Sequence, residues 1–328
     1  MEGLARKGYG RPRGTDEYPE PANGKTVFGS RSVLRDSSRH EEISVGGCIN
    51  RSGDSVGSVS EGVYPVGRPS LLGAVLGSPL GARTFSAVLR VLGRAAIAAI
   101  KDAPDEPYLC VRLRGIDRTL WWPSPLARES LYIVAQEQAY PWNPHNYEIP
   151  QSRVHPDDVV LDCGAAEGLF GLRVVDRCFR LILVEPLNLF VQGLRRTFAG
   201  LDTVTIIPAA LSDHSGTALL EENGIASRIT KDSAGTPVEM TTVDALCACL
   251  GVVPTFIKAD LEGWEPAMIR GARKLLARHK PRLAITTYDD PSIAKDLVPE
   301  IRAANPSYTI VTKGVVPTTR APFMLHAW

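Results

Sequence analysis

Two stretches of the 328-residue chain carry side chains whose types and spacing can do chemistry. The first is Asp162-Cys163-Gly164-Ala165-Ala166-Glu167-Gly168, followed 23 residues after Asp162 by Glu185-Pro186. Gly164 allows a tight turn and Gly168 the close approach of a helix, so that backbone N–H groups face a ligand. A carboxylate at 185 is placed to accept hydrogen bonds from a ribose diol. The second stretch is Lys258-Ala259-Asp260-Leu261-Glu262-Gly263-Trp264-Glu265, three carboxylates around one glycine. Asp260 is the candidate general base or orienter of a substrate hydroxyl, with Glu262 second and Lys258 beside them. Burial raises a carboxyl's pKa towards that of a useful base, whereas Lys258 favours the charged form. Glu262 and Glu265 also suit the positive end of a helix starting near Pro266, and for Glu265 that reading is preferred.

The glycine spacing bears on which ligand is held. A dinucleotide fingerprint read from Gly164 needs glycine at 166 and 169, where the chain has Ala166 and Leu169. A pyrophosphate therefore lacks its cradle, and a nicotinamide-dependent oxidoreductase is disfavoured. The remaining pattern, Asp162, Gly164, Ala165, Gly168 and the distal Glu185-Pro186, suits S-adenosylmethionine, which has no phosphate to hold. A non-catalytic cofactor-binding or scaffold protein would keep Asp162 and Glu185 yet be indifferent to Asp260.

These residues need a sheet to position them. Val159 to Leu161, Leu181 to Val184, Thr203 to Leu211, Thr255 to Lys258 and Arg282 to Tyr288 read as apolar strands, and Tyr308 to Thr312 with Phe323 to Trp328 as a final pair. Helices are expected over Leu189 to Phe198, Val243 to Gly251 (capped by Thr241 or Thr242), Pro266 to His279 and Ile293 to Ala304. Short extra strands are expected at Thr217 to Glu221 and Val238 to Thr242. The result is an α/β, doubly wound, mostly parallel sheet, in which a strand carrying Asp260 beside the first would bring it to the cofactor. Ser212 and Asp213 close the third strand, where they can meet the adenine; Asp213 equally suits a turn-stabilising role. His326 lies on the last strand, where packing is the preferred reading.

Upstream, residues 1–65 are rich in Gly, Ser, Arg and Pro and read as a disordered or loosely packed extension. Residues 66–150 read as a helical segment, hairpin and lid, and 151–328 as the cofactor-binding domain. Residues 71–100 are apolar, but Pro79, glycines and Arg83, Arg90 and Arg94 make a poor membrane span. The arginines share one helix face, which suits contact with a membrane surface or, preferred here, packing on the core or on a partner subunit of a homo-oligomer. Tyr108 to Trp122 reads as a hairpin and Arg128 to Gln138 as a helix. The loop after it holds Tyr140, Trp142 and His145, rings that suit a sugar-like surface under a lid and equally suit simple packing.

Formal net charge is +1 with mixed signs, so no nucleic-acid partner is expected. Six cysteines without C-x-x-C spacing argue against a disulfide framework or zinc site and for a reducing cytoplasm. No secretory signal is read in Met1 to Arg13. Asp260 and Glu262 offer hard oxygens that suit Mg²⁺, but two carboxylates do not establish a site, and no metal is expected.

The motifs together resemble the FkbM-type family of S-adenosylmethionine-dependent methyltransferases. They are Glu137, Val160 to Gly168, Glu185-Pro186, Ala210 to Gly216 and Lys258 to Glu265. The resemblance runs from about Glu137 to the C-terminus, and Lys258 to Glu265 is its most specific part. It implies a class I methyltransferase fold, a seven-stranded Rossmann-like sheet with an antiparallel last strand, and Glu137 among the cofactor-binding residues. It also implies O-methylation of hydroxyls on sugars, polyketides or related metabolites. Two positions depart from the pattern. Ala166 stands where the family usually has Asn, and Trp264, a candidate substrate-binding residue, replaces a usually small one.

Overall fold

The computed structural model describes residues 79–103, 106–230 and 235–328, with side chains from residue 87 on. The expected extension over 1–65, the start of the apolar stretch and the side chain of Arg83 lie outside the described residues. Helix α1 (Pro79–Ala96) passes directly into β1 (Ile97–Asp102), β2 (Tyr108–Leu113) and β3 (Thr119–Pro123), an antiparallel sheet in the order β1-β2-β3. The expected helical run thus stops at Ala96, because Ile97 to Asp102 finds a strand partner in β2, with Ile100 opposite Val111. Helix α2 (Arg128–Ala139) packs on α1, and Gly93 makes this possible, since a Cβ there would stand 1.9 Å from the Tyr132 carbonyl oxygen.

The cofactor-domain elements follow as β4 (Val159–Cys163), α3 (Leu169–Val174), β5 (Arg180–Val184), α4 (Asn188–Thr197) and β6 (Val204–Ile207). A second, four-stranded sheet uses β7 (Ala210–Leu211), β8 (Gly216–Glu221), β9 (Arg228–Thr230) and β10 (Thr236–Thr241) in the order β7-β10-β8-β9. The single third strand expected over Thr203 to Leu211 therefore divides at Pro208, which has no N–H for the ladder, and β7 leaves to pair with β10.

Then come α5 (Val243–Leu250), β11 (Phe256–Ala259), α6 (Glu265–Arg270), α7 (Arg273–His279), β12 (Arg282–Thr286), α8 (Ile293–Ala304), β13 (Ile310–Val315) and β14 (Pro322–Ala327). Thr242 caps α5, its Oγ1 accepting from the Ala245 N–H at 3.0 Å. The helix expected over Pro266 to His279 is two. Gly271 sits against the Ser212 backbone, where a Cβ would be 2.0 Å from the carbonyl oxygen, and the Asp244 carboxylate caps α7 by accepting from the Lys274 and Leu275 N–H groups.

The main sheet has the order β13-β14-β12-β11-β4-β5-β6, and only β14 runs antiparallel to its neighbours. Strand order reverses between β4 and β11, and the cleft outside their carboxyl ends is where open α/β sheets bind ligands. Leu161, Ile182, Ile257 and Leu283 face the layer of α5 to α8, whereas Val160, Leu181, Phe256 and Ala284 face the layer holding Leu131, Trp122 and Phe170. Two covered faces explain the nearly continuous apolar runs.

Among the described residues no helix is long and apolar enough to cross a membrane. Among the described residues Cys110, Cys163, Cys178 and Cys247 are free thiols.

Candidate active site

The turn after β4 is built on backbone that side chains resist. Gly164 has φ 72°, and a Cβ there would lie 2.0 Å from the Asp260 carbonyl oxygen, so β4 and β11 end in contact. Ala166 also has positive φ, 45°, a region where Asn is tolerated better than Ala, which gives the family's usual Asn a backbone reason. Glu185, at the end of β5, closes the turn: its carboxylate accepts from the Ala166 N–H at 2.8 Å and the Leu187 N–H at 2.9 Å. Burial pushes its carboxyl up to about 7 in spite of these bonds.

Beneath the turn, Lys258 on β11 stands opposite Asp162 on β4. Their charged atoms are 2.9 Å apart, with the two side chains 5% and 0% exposed, and Lys258 Nζ also donates to the Gly164 carbonyl oxygen. Burial alone would lower the Lys258 pKa, but Asp162, with Asp260 and Glu167 beside it, outweighs burial and holds the ammonium ionised. This pair fastens the floor of the cleft.

Asp260, just beyond β11, is held by four donors. His145 Nε2 lies 3.0 Å and Tyr147 Oη 2.6 Å from Oδ2, while Thr286 Oγ1 at 3.0 Å and Tyr288 Oη at 3.1 Å serve Oδ1. The other ring nitrogen of His145 faces Glu137 Oε2 at 3.2 Å. With a carboxylate on each side, the ring carries both protons and donates from both nitrogens. Burial would lower its pKa, yet Glu137 and Asp260 raise it to about 10. The expected upward shift of Asp260 is reversed: burial pushes it up, but the His145 hydrogen bond and charge hold the carboxyl well below the usual range. The Tyr147 and Tyr288 hydroxyls are pushed well up by burial and by Asp260, so both stay donors.

Glu262, Glu265 and Asp289 surround this group. Glu262 has φ 51° and Gly263 φ 95°, a left-handed pair that turns the chain sharply away from β11. Burial and neighbouring carboxylates push Glu262 and Glu265 up to about 8 and Asp289 to about 6.

A cleft of about 380 Å³ joins the two stretches. Of the expected residues, Glu137, His145, Gly164, Ala165, Glu185, Pro186, Lys258, Asp260, Glu262 and Trp264 line it. Asp162 lies under the floor, and Gly168 packs α3 against Leu194 and Phe198. Ser212 and Asp213 are not on its wall, because β7 turns away; Ala209, Ala210 and Leu211 line it instead. Ser212 Oγ accepts from Trp264 Nε1 at 3.2 Å, and Asp213 pairs with Arg270 on the surface. Tyr140 and Trp142 stack on each other outside the cleft, Trp142 being 61% exposed. His326 is fully buried within the sheet, away from the cleft wall. Sequence reasoning missed Tyr147, Tyr288 and Asp289. Tyr288-Asp289 follows the strand next to Asp260, and its position at a strand's carboxyl end is the signal that could have found it.

The cleft fits S-adenosylmethionine on its donor set. Its wall carries Glu137, Glu167 and Glu185, while its basic residues Lys258, Arg228 and His145 are paired with Asp162, with Glu221, and with Glu137 and Asp260. Such a wall suits a ligand with a sulfonium and an ammonium and repels a pyrophosphate. Residues 162–307 match the family model described as Methyltransferase FkbM domain. No curated protein matches the chain. Among solved structures it is similar to methyltransferase FkbM from Methylobacillus flagellatus KT at 20% identity and TM-score 0.44, over 77% of this chain and 61% of that one. It is also similar to Aeropyrum pernix fibrillarin in complex with natively bound S-adenosyl-L-methionine, at 11% identity and TM-score 0.38 over 71% and 99% of the two chains. A third is an rRNA methylase from Streptococcus thermophilus, at 12% identity and TM-score 0.35 over 53% and 87%. The chain thus spans under two thirds of the length of the Methylobacillus protein. Residues 162–307, a little under half of the chain, thus resemble the domain of the FkbM family of S-adenosylmethionine-dependent methyltransferases.

Proposed function

We propose that the chain methylates a hydroxyl group of a sugar, polyketide or related metabolite. The observation that carries this reading is the Asp260 carboxylate at the mouth of β11, fixed by His145, Tyr147 and Tyr288 beside the cofactor cleft. The sulfonium of the bound cofactor supplies an electrophilic methyl group. The protein's own task is then to align an acceptor oxygen with it and to take up the proton that the O–H releases as the methyl group passes from sulfur to oxygen, leaving S-adenosylhomocysteine. Asp260 offers the oxygen for that proton, and Glu137 orients the carboxylate at one remove by holding His145 Nδ1. Glu185 accepts from the ribose hydroxyls, and the short side chains of Gly164, Ala165 and Ala166 leave room along the cleft wall. Trp264, whose indole N–H donates to Ser212, lines the cleft and offers an aromatic surface that suits the C–H face of a sugar ring.

A screen of glycosides, macrolides and simple polyols with S-adenosylmethionine tests the reading, the methylated atom being located by NMR. The expected product is a methyl ether. Methylation at nitrogen or carbon, with hydroxyl acceptors left unchanged, would refute the assignment to oxygen.

A further inference from the structure

We infer that Asp260, Glu265 and Asp289 form a binding site for one hard divalent cation at the acceptor end of the cleft. One carboxylate oxygen from each of the three lies within 4.8 Å of the others. Opposite oxygens across a cation stand about 4.2 Å apart for Mg²⁺ and about 4.6–5.2 Å apart for Ca²⁺, so the set closes on such an ion with little movement.

A second, independent observation points the same way. Glu265 is 0% exposed; its Oε1 accepts from the Leu261 N–H at 2.7 Å, but its Oε2 is buried without any hydrogen-bond partner. A buried carboxylate oxygen with no donor is costly, and a coordinated cation removes that cost. One donor nearby is also over-subscribed. The Thr286 hydroxyl has one proton for three acceptors, the Ala259 carbonyl at 3.3 Å, Asp260 Oδ1 at 3.0 Å and Glu265 Oε1 at 3.3 Å. At least two of them are therefore left with an open lone pair by Thr286. His145 and Tyr147 occupy Asp260 Oδ2, so an ion at Oδ1 leaves the His145 contact in place and shares Oδ1 with the Tyr288 hydroxyl. Carboxylate oxygens alone select Mg²⁺, Ca²⁺ or Mn²⁺ over softer metals. An ion there would lie where the acceptor hydroxyl docks. Metal binding is read without turnover, so this inference is tested separately from the acceptor proposed above.

The test is titration of the full chain, freed of metal by chelation, with Mn²⁺, following loss of the free-ion electron paramagnetic resonance signal. Wild type is expected to bind one Mn²⁺ per chain, and both Glu265→Gln and Asp289→Asn to weaken it by at least about tenfold, because affinity follows ligand charge count. Circular dichroism establishes that each variant is folded. Should Glu265→Gln fail to fold, Asp289→Asn decides alone, since Asp289 is exposed. Absence of stoichiometric binding at millimolar Mn²⁺, or unchanged affinity in folded Asp289→Asn, would overturn the inference.

Discussion

Replacing Lys258 by Met keeps an aliphatic stem of similar length and deletes the ammonium that faces Asp162. The pair is 2.9 Å apart with side chains 5% and 0% exposed, so at an effective dielectric of about 20 its attraction is about 6 kcal/mol. Part of that is returned because the ammonium no longer has to leave water, and removing one partner of a buried pair costs about 3–5 kcal/mol. Loss of the bond to the Gly164 carbonyl adds about 1 kcal/mol. Asp162 limits the damage by taking up a proton. Burial already pushes its pKa up with Lys258 opposing, and the substitution removes the opposition. A carboxyl whose folded-state pKa exceeds its unfolded value binds more protons in the native state. The variant is therefore least destabilised in acid, and its deficit against wild type grows by about 1.4 kcal/mol per pH unit between the wild-type and the variant folded values of Asp162. The paired variant Asp162→Leu/Lys258→Met leaves no unpaired charge and should recover most of the loss. Urea unfolding followed by circular dichroism, run in mildly acidic and mildly alkaline buffer, reads all three quantities. A single variant within about 1 kcal/mol of wild type, or a double variant no better than the single, would refute the reasoning.

Further outcomes follow from the same geometry. Glu185→Ala should weaken S-adenosylhomocysteine about 10–100-fold in calorimetric titration, the equivalent of about 1.5–3 kcal/mol for hydrogen bonds to a charged group. Gly168→Ala puts a Cβ at φ 88° and 2.5 Å from Leu194 Cδ2, and should cost about 2–5 kcal/mol in urea unfolding. Trp142→Ala, at a residue 61% exposed and away from the cleft, should change stability by less than about 0.5 kcal/mol and leave S-adenosylhomocysteine affinity unaltered.

The central sheet was legible because its strands are buried on both faces and so read as apolar runs with glycine turns between them. Placing Asp260 beside the first strand needed only the rule that ligands gather at the reversal of strand order. What was not legible depends on partners far away in the chain. Asp260 meets Tyr147 across 113 residues and His145 across 115, so neither its donors nor the reversal of its pKa shift could be read from local spacing. Ser212 and Asp213 were expected at the adenine because an unbroken third strand would carry them there; pairing of β7 with β10 takes them elsewhere. The break at Gly271 likewise reflects the Ser212 backbone packed against it, a contact that helix propensity does not contain. Tyr140 and Trp142 had the right chemistry for a lid, but of that loop it is His145 and Tyr147 that reach the cleft.

The most direct test of the account is turnover of Asp260→Asn on an acceptor identified by the screen, measured beside its affinity for S-adenosylhomocysteine. The account predicts a fall in kcat of about 10²–10⁴-fold, the usual contribution of a positioned acid–base group, with cofactor-product affinity close to wild type. Turnover within about tenfold of wild type, or loss of turnover explained wholly by lost cofactor binding, would contradict the role assigned to Asp260.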